Sequence, residues 1–159
     1  MAVLHSNPME AEKRLNALGL LLPQLPTPGG NYLAAKRVGG LLYLAGVIST
    51  VQGSVIQGTV GLDRSIDDGY RAARACALTQ LAVIRRELGS LDLVQQVVSV
   101  NGYVNTIDGF PDTPKVVNGA SDLLVEVFDE AGRHVRAAIG VNALPMNALV
   151  ELQMLVAIQ

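Results

Sequence analysis

An α+β domain, with helices laid over one face of a sheet, is the fold class this chain predicts, and three observations predict it. Apolar residues recur at helical spacing from Ile66 to Leu88, the β-branched run from Val94 to Val104 alternates as a strand, and the stretch from His134 to Gln159 holds two more runs of period two. The order is helix, strands, long helix, strand, helix, strand, strand, with no tandem repeat or low-complexity tract. A chain of 159 residues that is 50% apolar and 16% charged, with mean hydropathy +0.34, has enough apolar surface for one compact core.

Taken in order, the first element is a helix capped by Asn7 and opened by Pro8, with Glu10 and Glu12 favouring the positive end of its dipole and an end near Gly19. The segment from Leu20 to Gly30 carries three prolines and two glycines, which predicts an irregular crossing loop. Residues 1–30 are therefore expected to form a helix and loop ahead of an α+β domain over residues 31–159. Tyr32 to Val38 and Leu41 to Gly46, separated by Gly39 and Gly40, read as a β-hairpin, with a third short strand around Ile56 to Val60. Ser65 supplies an N-cap and Asp67 and Asp68 an acidic first turn for the long helix, whose stripe Ile66, Tyr70, Ala73, Ala77, Leu81, Ile84 and Leu88 stops at Gly89. Val94 to Val104 should be a central strand and Phe110 to Pro114 a loop. Val117 to Glu130 should form a second amphipathic helix, stopped by Gly132.

Period two places Arg136, Ala138 and Gly140 on one face of the next run and Val135, Ala137, Ile139 and Val141 on the other, which reads as core. In the last run Val150, Leu152, Met154, Val156 and Ile158 form a core row, opposite Leu149, Glu151, Gln153, Leu155 and Ala157. The short connection from Asn142 to Asn147, with Pro145 in it, predicts an antiparallel hairpin in which Arg136 and Glu151 face together as a small-molecule anion site. The sheet face left uncovered would then carry Arg136, Ala138, Gly140, Leu149, Glu151, Gln153 and Leu155. That mixture is too apolar for open water and too polar for a dry core, so copies of the chain are expected to pack there and enclose clefts.

Other classes are disfavoured. Net charge is −2, no Lys/Arg cluster exceeds a pair, Trp is absent and Phe is confined to Phe110 and Phe128, so there is neither a phosphate-tracking surface nor a stacking platform for nucleic acid. No apolar run approaches the ~20 residues that cross a bilayer, and the N-terminus lacks a basic region followed by an apolar segment; a cytoplasmic protein with no membrane partner is expected. Cys76 cannot form an internal disulfide and should be buried and inert, while His5 and His134 stand alone, so no metal is assigned. The glycines of P-T-P-G-G-N-Y lack phosphate-loop spacing, and Gly53 and Gly58 read as turn glycines.

The strand R-A-A-I-G-V from Arg136, the Leu-Pro at Leu144, the close V-E-L-Q from Val150 and the segment Y-V-N-T-I-D-G-F-P-D-T-P-K-V-V-N-G-A-S-D-L-L from Tyr103 together resemble the YjgF/YER057c/UK114 family. This is the RidA or reactive-intermediate deaminase family, formerly called endoribonuclease L-PSP, and the resemblance runs from about Tyr32 to the C-terminus. It implies a bacillus-type chorismate-mutase-like domain, with two main helices on one sheet face plus an N-terminal helix here, assembled as a homotrimer with ligand clefts between subunits. It implies that Arg136 binds a substrate carboxylate and that Glu151 orients the water that hydrolyses an enamine or imine to a 2-oxo acid and ammonia. Tyr32 and Asn118 match the family's pocket tyrosine and asparagine, and Ala138 stands where the family has a small cysteine or serine. Gln153 replaces the second glutamate of the closing motif, and the glutamine that follows the family's tyrosine is missing.

These residue types suit that chemistry. A guanidinium grips a planar carboxylate through two parallel charge-assisted hydrogen bonds, a carboxylate takes a proton from attacking water, and no cofactor is needed. The expected function is a cofactor-free hydrolase resembling 2-iminobutanoate/2-iminopropanoate deaminases. Ala138 and Gln153 keep open an alternative of a different class, a non-catalytic trimer that binds a small carboxylate as sensor or regulator. An RNase reading, inherited from the older family name, ranks third because paired histidines and a basic groove are missing from the sequence.

Overall fold

The computed structural model describes residues 10–25 and 27–159, so the expected cap Asn7 and first-turn Pro8 lie outside the described residues. Helix α1 spans Ala11–Ala17; β1 (Ala35–Val38), β2 (Leu41–Leu44), β3 (Val47–Ile48), β4 (Thr50–Val51) and β5 (Ser54–Val55) follow the crossing loop. Next come α2 (Ile66–Leu88), β6 (Val94–Asn105), α3 (Thr113–Phe128), β7 (Val135–Val141) and β8 (Val150–Ile158). The main sheet has the order β1-β2-β8-β6-β7, with β3 also paired to β8. Because β6 and β7 run parallel and the other pairs antiparallel, the sheet is mixed and the class is α+β, as predicted.

Helix α2 forms where its pattern says. The Ser65 hydroxyl accepts from the Asp68 N–H at 3.0 Å while the Asp68 carboxylate accepts from the Ser65 N–H at 2.9 Å, and Gly89 closes the helix with φ +87°. Its apolar stripe and that of α3 bury Leu81, Ile84, Leu123 and Leu124 against Val97, Val100, Val104, Leu152, Met154 and Val156 of the sheet. The two helices touch through Gly119, where an added Cβ would overlap the Tyr70 carbonyl. Helix α1 is tied down by Glu12, whose carboxylate pairs with Arg85 and accepts from the Leu91 N–H at 2.8 Å. Burial alone would raise the Glu12 pKa, but the Arg85 and Leu91 hydrogen bonds and the Arg85 charge together lower it.

Four expectations change. First, β7 and β8 do not form a hairpin: β6 lies between them, parallel to β7 and antiparallel to β8. The helix α3 joins β6 to β7 as a crossover, the connection that parallel neighbours require. Second, the faces of β7 are inverted. Arg136 lies level with the buried Val100, beneath α3, whereas Val135 and Ile139 are 70% and 48% exposed on the uncovered face. Period two shows which residues share a face but not which face is covered, and β7 is an edge strand whose covered side is only half enclosed. Third, no strand runs from Ile56 to Val60; β4 and β5 make a small hairpin through Gln52 and Gly53, both with positive φ, and Gln57 and Val60 form isolated bridges. Fourth, α3 begins at Thr113 with Pro114 in its first turn, and β1 begins at Ala35, after Tyr32.

The uncovered face therefore carries Tyr43, Leu155 and Val135, then Gln153, Asn101 and Ala137, then Glu151, Tyr103 and Ile139, in rows across the strands. Arg136, Ala138, Gly140 and the fully buried Leu149 do not belong to it, but the mixture of apolar and polar groups expected there remains. Among the described residues, no helix is long and apolar enough to cross a membrane, and no group of three or more metal-ligand side chains is present.

Candidate functional site

Glu151 projects from β8 into a cleft of about 570 Å³ bounded by the crossing loop, α2 and the strand ends. Leu25, Pro28, Tyr32, Val47, Thr79, Val83, Arg86 and Met146 line it, so its walls are mainly apolar. β2 leaves the ladder at Ala45 and Gly46 before β3 rejoins it, which opens the space: a Cβ on Gly46 would stand 3.3 Å from the Glu151 carboxyl carbon. Gln80, fully buried on α2, donates 2.9 Å hydrogen bonds to the carbonyls of Ala45 and Leu152 and so holds that break. The Glu151 carboxylate has no hydrogen-bond or ion-pair partner among the described residues, and burial raises its pKa. Cys76 is fully buried beneath, its thiol pushed far up by burial and then by the Glu151 charge, which agrees with the inert role expected of it.

Arg136 occupies a second location. From β7 its Nη1 donates to Asn118 Oδ1 at 2.7 Å and to Ser121 Oγ at 3.1 Å, and its Nη2 to the Pro114 carbonyl at 3.4 Å. All three acceptors are neutral, and among the described residues no carboxylate pairs with it, so its charge is uncompensated. Asn118 lies in the second turn of α3, one turn before Ser121, and both face β7. Ala138 follows Arg136 on the covered side, half-buried against the core, and its carbonyl accepts from Thr113 Oγ1 at 3.0 Å.

The five residues singled out from sequence therefore fall into two groups, Glu151 with Tyr32 and Arg136 with Asn118 and Ala138. Within one protomer the groups do not meet. Arg136 is level with Val100 and Glu151 with Tyr103, which point to opposite faces of β6, so the expected co-facial pair is corrected to two groups on opposite sides of the sheet. Sequence reading missed Ser121, whose Oγ lies 2.9 Å from His134 Nε2, and Arg86 and Thr79 on the cleft wall. The i, i+3 spacing of Asn118 and Ser121 was the available signal for the first.

Comparison with known proteins assigns the fold to a family. Residues 12–158 match the model of the YjgF/chorismate_mutase-like family, whose description adds a supposed endoribonuclease role. The chain belongs to this family. It is 39% identical to protein TCP17 of Trypanosoma cruzi over 158 residues, 98% of each chain. It is 27% identical over 137 residues, 86% of this chain and 93% of the other, to a 2-iminobutanoate/2-iminopropanoate deaminase of Dermatophagoides farinae. A crystal structure of a protein of unknown function from Agrobacterium tumefaciens superposes with a TM-score of 0.85 at 38% identity, covering 93% of this chain and 91% of that one. Family membership and the chorismate-mutase-like fold thus agree with the resemblance read from Arg136, Leu144-Pro145 and Glu151.

Proposed function

We propose that this YjgF-family protein is a cofactor-free deaminase that hydrolyses 2-imino acids to 2-oxo acids and ammonia, in clefts completed by a second copy of the chain within a homotrimer. The observation that carries it is the division of one chain into a guanidinium at the β7 edge and a carboxylate in an apolar cleft, neither with an ion-pair partner among the described residues. A second protomer resting on the uncovered face, where Val135 and Ile139 are exposed, buries apolar surface and offers a route to bringing one chain's Arg136 to another's Glu151 and Tyr32.

In the resulting site Arg136, already fixed through Nη1, grips the substrate carboxylate through its Nε and Nη2 edge. Glu151 accepts a proton from water as the oxygen attacks the imine carbon, and returns it to nitrogen. Glu151 next takes the hydroxyl proton of the resulting carbinolamine and passes it to the amino nitrogen, so that the carbon–nitrogen bond breaks as the C=O bond forms, ammonia leaves and the 2-oxo acid remains. A raised pKa makes Glu151 a better base than an exposed carboxylate and keeps it able to give the proton back. The likeness to the D. farinae deaminase supports the same substrate class.

The test is the loss of 2-imino acids released by an amino-acid oxidase, followed with and without the purified protein. Acceleration that Arg136→Ala abolishes is the expected result; no acceleration with any 2-imino acid overturns it. Saturable binding of 2-oxo acids without turnover would point instead to the carboxylate-binding sensor that Ala138 and Gln153 keep open.

A further inference from the structure

His134 Nδ1 lies 2.6 Å from the Gly132 carbonyl oxygen, which can only accept, so Nδ1 carries a hydrogen. Nε2, 2.9 Å from Ser121 Oγ, is the acceptor of the neutral ring, and the Ser121 hydroxyl donates to it. That orientation turns the free lone pairs of Ser121 Oγ away from the imidazole, and Arg136 Nη1 donates to them at 3.1 Å. The chain from the Gly132 carbonyl through His134 and Ser121 to Arg136 is thus directional, each group donating or accepting in only one sense. A neutral ring fits its setting: burial lowers the His134 pKa, the Gly132 bond raises it, and the Arg136 charge lowers it again.

From this geometry we infer that Ser121 and His134 are positioning residues for the anion-binding guanidinium, fixing Nη1 so that the opposite edge of Arg136 is presented to a ligand carboxylate. The inference rests on the deaminase reading for the ligand's identity, although the chain itself exists in the unliganded protein. Asn118 alone would leave the guanidinium one firm anchor and freedom to turn about it, since the Pro114 contact is long at 3.4 Å. With Ser121 as second anchor the Nη1 group is held from two sides, and less rotational freedom is lost when a carboxylate docks. Gly132 belongs to the same device: a Cβ there would collide with the Leu124 backbone, so the carbonyl that orients His134 stands on a turn pressed against α3.

Three proteins test it: wild type, Ser121→Ala and Ser121→Thr, with thermal unfolding to verify that all are folded. Ser121→Ala should weaken 2-oxobutanoate binding, and raise KM for the imine, about tenfold while kcat stays within about twofold, and Ser121→Thr, which keeps the hydroxyl, should restore both. Nitrogen-15 spectra of the unliganded protein should show His134 as the Nδ1–H tautomer, and Arg136 guanidinium rotation should quicken in Ser121→Ala. Unchanged binding and rotation in Ser121→Ala, an equal loss in Ser121→Thr, or the Nε2–H tautomer would each overturn the inference. Should wild type neither bind 2-oxo acids nor turn over imines, the deaminase reading falls, and the tautomer and rotation measurements still decide whether Ser121 and His134 position Arg136.

Discussion

Glu151 and Arg136, of opposite formal charge, sit in different surroundings, the first in an apolar cleft and the second among neutral acceptors. The carboxylate sits in an apolar cleft that disfavours ionisation, so its pKa stands above the ordinary 4.5. As a base it works only when deprotonated, so kcat/KM should fall on the acid side with a midpoint above 4.5, a pH profile that initial rates would trace. Glu151→Gln should erase that limb and lower kcat by about 10²–10⁴-fold. A midpoint at or below the ordinary carboxylate value would remove Glu151 from the role. Strand and motif context singled out all five candidate residues; their separation into two groups was not legible. Alternation along β7 gave the right partition, Arg136 with Ala138 and Gly140, but the assignment of faces depended on α3 covering the side that carries the charge, and no local signal in seven residues reports that.

Elements with strong local instructions were read closely. The Ser65 cap, the acidic first turn and Gly89 are all written within the α2 segment, and the helix starts and stops there. The pairing of β7 is not written locally: the short link from Asn142 to Asn147 looks like a hairpin turn, whereas it steps over the end of β6, with Met146 and Asn147 at φ 55° and 57°. What decides the pairing is the earlier crossover through α3, a long-range constraint. That crossover depends on Gly119, which lets α3 approach the backbone of α2 at Tyr70. Gly119→Ala should therefore cost about 1–3 kcal/mol in urea unfolding despite the better helix propensity of alanine, and a stabilised variant would show the contact to be looser than described.

At the scale of the whole molecule, one protomer buries its core on one side of the sheet and leaves apolar side chains on the other. An aspartate at Ile139, 48% exposed in the protomer, should be tolerated by a lone copy but would bury an unpaired charge between copies. On the proposed assembly, the parent is expected to sediment as a trimer and Ile139→Asp as a folded monomer without deaminase activity; a variant that stays assembled would place the interface elsewhere. The most direct measurement mixes two inactive proteins, Arg136→Ala and Glu151→Gln, by unfolding and refolding them together. If each cleft takes its guanidinium from one chain and its carboxylate from another, random assortment regenerates about one intact cleft in four, and activity returns. A mixture as inactive as its parents, from proteins that refold and assemble, would contradict a site shared between copies.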